Sequence, residues 1–187
     1  MNIVRTFPVS RKEAALLQTS GFALTRQAKD VYNTAVYVIR QVLSSFEGGE
    51  LKANLQEPQV DVLGRANACI DRINAARALK EPQLNKKTKV LERFGEGATP
   101  WQILDPTLLD NVLREMPGFN GNNPYAGVPA VAAQQIGRDV LDSFKGWLAS
   151  LKQHEGDKGK PQMPGYLSKN TRRLVTIPAA AVPKSHL

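Results

Sequence analysis

Apolar residues recur at three- and four-residue spacings over several stretches of the chain, as in helices that bury one face. The clearest runs through Ala28, Val31, Tyr32, Ala35, Ile39, Val42, Leu43 and Phe46, and Gly48-Gly49 closes it. Arg26, Lys29, Asn33, Tyr37, Arg40 and Gln41 are left on or beside its polar side. A second helix is predicted from Val60 to Leu79, with Leu63, Ala66, Ile70 and Ile73 as its seam and Pro82 as its stop. Asp105-Pro106 sets a capping residue and an N1 proline ahead of Leu109, Val112, Leu113 and Met116, and Pro117-Gly118 ends that helix. Pro129 opens another, with Ala133, Ile136, Val140, Phe144, Trp147, Leu148 and Leu151 on the buried side. Upstream, Ser10-Arg11-Lys12-Glu13 has the form of a capping box. It predicts a short helix to about Thr19 that Gly21 ends or bends.

Two short segments alternate instead. Ile3-Val4-Arg5-Thr6-Phe7 stops at Pro8, and Leu174-Val175-Thr176-Ile177 stops at Pro178, as strands would. Two lone strands do not make a stable sheet, so they pair with each other or belong to a larger one. Residues 117–129 are rich in turn formers and read as a loop. Beyond Gln153, the residues Gly156, Gly159, Pro161, Pro164 and Gly165 forbid a helix. Lys86-Lys87-Thr88-Lys89 and Arg93 lie in a polar stretch without a clear period. The fold class expected is mostly α (α+β): a helical bundle flanked by a strand at each end.

Composition narrows the function. The 187 residues leave room for one substantial domain, and 42% hydrophobic content is enough for a core. No apolar run approaches the ~20 residues of a membrane span and nothing resembles a signal peptide, so a cytoplasmic location is expected. Cys69 is the only cysteine, which excludes an internal disulfide and a cysteine-rich zinc site. It reads as a small buried helix residue. His154 and His186 are the only histidines, and neither has a second ligand type at metal spacing.

The net charge of +8 points to a polyanionic partner. It is unevenly spread: residues 151–187 hold seven Lys or Arg against two Asp or Glu, whereas residues 101–150 are net acidic. In the tail, Lys158, Lys160, Lys169, Arg172 and Arg173 alternate with Pro and Gly around Tyr166. That pattern suits a backbone tracking phosphates while an aromatic ring meets a base. A flexible basic linker is the plainer reading. On the helix from Pro129, Gln134, Gln135 and Arg138 are spaced to project together, with Lys145 two turns beyond Arg138. Gln and Arg read adenine and guanine edges in bidentate fashion. An ordinary solvated face, with Arg138 paired to Asp142 at i,i+4, is the plainer reading of the same spacing.

Four segments in order resemble the TnpB family of transposon-encoded RNA-guided nucleases, which is related to the type V CRISPR effectors. Tyr32-Asn33-Thr34-Ala35 with Tyr37 and Arg40-Gln41 is similar to the family's early YN-x-A helix. Ala133-Gln134-Gln135-Ile136-Gly137-Arg138-Asp139 with Phe144-Lys145 resembles its later paired-Gln and R-D-x-x-x-x-F-K helix. Lys160-Pro161-Gln162-Met163-Pro164-Gly165-Tyr166, with Leu174-Val175-Thr176-Ile177-Pro178, resembles the segment and strand that close that region. Arg5-Thr6-Phe7-Pro8 with Arg11-Lys12-Glu13 is similar to its first strand and helix. Residues 50–105 match poorly and read as an insertion.

The resemblance implies a first wedge-barrel strand in residues 1–8, a helical recognition lobe over 9–155, and a basic segment with a second wedge strand over 156–187. Together these would hold a guide RNA–target DNA heteroduplex and read a motif in the target double-stranded DNA. It implies nucleic-acid contacts by Tyr32, Asn33, Arg40, Gln134, Gln135, Arg138, Lys145, Lys158, Lys160, Tyr166, Lys169, Arg172 and Arg173. The RuvC-type nuclease domain of the family, which uses carboxylates and Mg, is expected to lie outside this sequence, on a separate chain or a missing half. No cofactor and no catalytic or metal-ligating residue is therefore expected here. The competing expectations are a stand-alone inactive RNA- or DNA-binding regulator and a helical interaction protein whose charge is incidental.

Overall fold

The computed structural model describes residues 11–80, 90–95, 97–118, 121–154, 159–171 and 173. Four helices dominate them: α1 (Arg11–Ser44), α2 (Glu57–Lys80), α3 (Pro106–Glu115) and α4 (Ala130–Gln153). Two-residue strands β1 (Phe46–Glu47) and β2 (Glu50–Leu51) pair antiparallel after α1. The strands predicted at 3–7 and 174–177, the cap at Ser10, the stop at Pro82 and the lysines at 86–89 lie outside the described residues.

The first helix is continuous over 34 residues, about 50 Å at 1.5 Å per residue, and Gly21 does not end it. Gly21 is not among the glycines with positive φ, so it does not form the left-handed cap that stops a helix. An interior glycine costs only about 1 kcal/mol relative to alanine, too little to break a helix anchored downstream by a buried face. That face is wider than the sequence stripe. Thr34, Val36 and Val38 are buried along with Ala28, Val31, Ala35, Ile39 and Val42, so the apolar arc spans roughly 200° at 100° per residue. The width reflects position: α1 touches α2, α3 and α4 together.

Phe46 is buried as predicted, but on a hairpin rather than on the helix. Gly48 and Gly49 take φ of 61° and 94°, the left-handed pair of a two-residue hairpin turn, and bring Phe46 opposite Leu51. The predicted seam of α2 is buried at Leu63, Ala66, Ile70 and Ile73, joined by Val62 and Cys69. Burial and the Glu115 carboxylate raise the Cys69 thiol pKa, opposed by Arg72. Two asparagines on α2 fasten the segment that follows it. Asn67 accepts from the Phe94 N–H and donates to its carbonyl, and Asn74 does the same at Leu91. Arg93 between them pairs with Asp71, so this cation of the polar stretch is committed within the fold.

The Asp105 cap forms as read: its carboxylate accepts from the Thr107 and Leu108 N–H groups at 2.8 and 3.0 Å. Leu109, Val112, Leu113 and Met116 all point inward. In the loop that follows, a Cβ on Gly118 would stand 2.5 Å from the Asn122 carbonyl oxygen, so this turn requires glycine. A 3-10 turn at Pro124–Gly127 then lays Tyr125 on α3, where its hydroxyl donates to Asp110 and Arg114 covers its ring at 4.9 Å. Among the described residues no helix is long and apolar enough to cross a membrane, and no group of three His, Cys, Asp or Glu could hold a metal ion.

The cap supplies a direct check on this architecture. Asp105→Ala removes both acceptor bonds at an otherwise uncapped end, and should cost about 1 kcal/mol, read as a lower midpoint in urea with an unchanged slope. A loss below a few tenths of a kcal/mol would mean that the α3 end does not need its cap.

Candidate nucleic-acid interface

The polar side of α1 has its own order. Lys29, Asn33 and Arg40 are four and seven residues apart, which places them in one row along the helix. The tail beyond α4 lies on that row. Residues 159–171, followed by Arg173, form neither helix nor strand and run against the direction of α1. We call this segment the strap.

Asn33 is its central fastening. Its side-chain amide donates to the Leu167 carbonyl at 3.2 Å and accepts from the Leu167 N–H at 2.8 Å. One amide N–H and the amide oxygen are thereby engaged in a backbone pairing. Lys29 Nζ donates to the Lys169 carbonyl at 3.0 Å. The Arg40 guanidinium sits 5.6 Å over the Tyr166 ring, and that of Arg173 sits 4.7 Å over Tyr32. From α4, the Trp147 indole N–H donates to the Pro161 carbonyl at 3.1 Å, and Asp139 pairs with Arg173. The strap is therefore pinned at five or more points in the seam between α1 and α4, and is not a free linker.

These contacts divide the predicted residues. Tyr32, Asn33 and Arg173 serve largely to hold the chain to itself. Arg40 and Tyr166 stack on one another, yet Tyr166 remains 48% exposed. Lys160 and Lys169 face solvent. Lys158 and Arg172 lie outside the described residues.

The trio on α4 also divides. Gln135 donates to Asp139 at 2.9 Å and so joins the strap side. Gln134 and Arg138 line a groove against the start of α3, with Pro106, Thr107 and Asp110. Lys145 is exposed two turns along from Arg138. Among the described residues no ion pair joins Arg138 to Asp142; the arginine that a carboxylate of this helix takes is Arg173, at Asp139.

Two surface features flank the strap. At its far end an open cleft is lined by Thr25, Arg26 and Lys29 of α1 and by Lys169, Asn170 and Thr171. Its lining, which Phe22 completes, holds three cations and an amide and no carboxylate, a set suited to phosphate oxygens, while the Thr25 hydroxyl donates to the Phe22 carbonyl. The turn is braced by a Ser168–Thr171 hydroxyl bond of 2.7 Å. At the near end, Arg40, Gln41, Trp101, Trp147, Met163 and Tyr166 line an open aromatic groove. Motif spacing reveals neither feature, because Arg26 and Lys29 approach Lys169 only when the strap folds back. Tyr37, on the same side of α1, has its pKa raised by burial, then by Asp61 and Tyr166.

Asn33→Ala should release the strap at its centre. Two backbone groups would be left without partners, and a cost of about 1–3 kcal/mol is expected at the strap. Limited trypsin digestion should then cut after Lys169 at least several-fold faster, with the thermal unfolding of the helices shifted much less. Equal cleavage rates in the variant and the parent would remove Asn33 from this role. No family model, curated protein or solved structure matches the chain.

Proposed function

We propose that the chain is the nucleic-acid-binding recognition module of an RNA-guided DNA endonuclease of the TnpB and type V effector kind. One observation carries the reading. Three of the segments that resemble the family, two of them more than ninety residues from the first in sequence, meet on one surface: Tyr32, Asn33 and Arg40 of α1, Gln135 and Asp139 of α4, and Tyr166 and Arg173 of the strap. Chance matches scattered through a sequence have no reason to become mutual neighbours. Motifs that encode one interface do.

In this reading the strap cleft with Arg26, Lys29 and Lys169 takes backbone phosphates of the guide RNA–target DNA heteroduplex. Gln134, Arg138 and Lys145, on the outer side of α4, face the duplex that carries the target-adjacent motif. The wedge-type barrel that the resemblance implies falls outside the described residues, and strand cleavage belongs to a RuvC-type domain. The net charge of +8 suits this division, since phosphate contact dominates affinity while a few side chains supply selectivity.

Binding of a labelled RNA–DNA heteroduplex at several salt concentrations tests the phosphate surface. Neutralising Arg26, Lys29 and Lys169 together to Gln should weaken binding and flatten the salt slope by roughly 0.7–0.9 for each phosphate that is no longer neutralised. Unchanged affinity and slope would exclude the cleft. Failure to bind the heteroduplex even at low salt would favour a helical protein-interaction module instead.

The outer face of α4 makes a separate prediction in a complex reconstituted with guide RNA. Gln134→Ala or Arg138→Ala should relax preference at one base pair of the motif by about 1–3 kcal/mol, with little effect on non-specific DNA. A uniform decrease in affinity across sequences would mean phosphate contact only.

A further inference from the structure

We propose that the aromatic groove at the near end of the strap is a stacking site for an unpaired base of single-stranded nucleic acid. The proposal rests on the nucleic-acid-binding reading above and adds a ligand class and a place. The chain has two tryptophans in 187 residues, and both line this groove together with Tyr166. Trp101 is 46% exposed and Tyr166 is 48% exposed, although large apolar rings gain by burial when nothing else holds them at the surface.

The Trp147 and Tyr166 rings are held in place. Trp147 is fixed by its indole N–H bond to the Pro161 carbonyl and by an edge contact with Phe144 at 6.2 Å. Tyr166 is held under Arg40. Trp101 stands on the 3-10 turn Pro100–Leu104, whose Pro100, Ile103 and Leu104 are buried in the core. The groove thus presents preformed planar faces, and ordering them costs the complex little.

Charge and shape select the occupant. Arg40 is in the lining and no carboxylate is. Planar rings, the Arg40 cation and a polar rim of Gln41 and Ser44, beside Leu43 and Met163, suit a base and its phosphate. Tyr166 and Lys169 are three residues apart in the strap, at most about 10 Å along the backbone. A strand whose base stacks in the groove would therefore carry its phosphates toward the Lys169 cleft.

Both tryptophans being in the groove makes the test direct. The chain is titrated with a labelled single-stranded RNA, a single-stranded DNA of the same sequence and the blunt duplex, following oligonucleotide anisotropy and tryptophan emission together. Quenching that saturates in step with binding is expected for single strands, and the RNA and DNA arms identify which strand is preferred. The duplex should leave the emission unchanged. Trp101→Leu should weaken single-strand binding roughly 5- to 100-fold, and Trp101→Phe should restore most of it. Tyr166→Leu is a second variant, at an equally exposed ring. Binding with unchanged emission, or wild-type affinity in both leucine variants, would overturn the stacking site while leaving nucleic-acid binding elsewhere intact. Failure of every nucleic acid to bind would overturn both. A dimer in sedimentation that Trp101→Leu dissociates would give the groove to a second copy of the chain and overturn the proposal.

Discussion

Irregular backbone laid against a helix must find partners for its N–H and C=O groups, and in this protein asparagine side chains provide them. Asn33 pairs with both backbone groups of Leu167, Asn67 with those of Phe94 and Asn74 with those of Leu91. An amide carries one donor side and one acceptor side, so it can imitate the edge of a neighbouring strand. The bundle uses this device where a sheet would otherwise be needed. The strap and the segment at 90–94 are positioned by it, and the surface features around the strap depend on that position.

The second constraint is the central place of α1. A helix buried over more than half of its circumference keeps one polar side, and here the row Lys29, Asn33 and Arg40 runs along it. The strap closes over it, leaving tyrosine and lysine side chains outward. Arginine performs two tasks in the closure: Arg173 stacks on Tyr32 while pairing with Asp139, and Arg40 stacks on Tyr166. Exposed ion pairs contribute little, about 0–1 kcal/mol each, so the register of the strap is set mainly by the bidentate amide and by packing of Met163 and Trp147 on the core.

The proposed function follows from where basic side chains gather without carboxylates, Lys29 among them while it also donates to the Lys169 carbonyl. Cations that are paired, such as Arg93, Arg65 and Arg114, are occupied on and around α2 and α3. Those that converge without a carboxylate in the lining are beside the strap. The division gives the bundle a structural side and a basic, aromatic side, and a polyanion with exposed bases suits the latter.

Periodicity alone determined most of the bundle. The seam of α2, the capped start of α3 and the buried side of α4 depend on neighbours within a few residues, and local spacing encodes them. Gly21 misled because a glycine ends a helix only when the chain turns left-handed there, and anchoring downstream decides whether it does. The residue types at the interface were equally legible: Tyr32, Asn33, Arg40, Tyr166 and Arg173 stand out by chemistry. What they touch was not. Asn33 and Leu167 are 134 positions apart, and no local pattern tells an amide that will complete a distant backbone from one that will read a base. Only the return of the strap onto α1 turned scattered cations and rings into a cleft and a groove, because side chains far apart in sequence acquire a common surface only through packing.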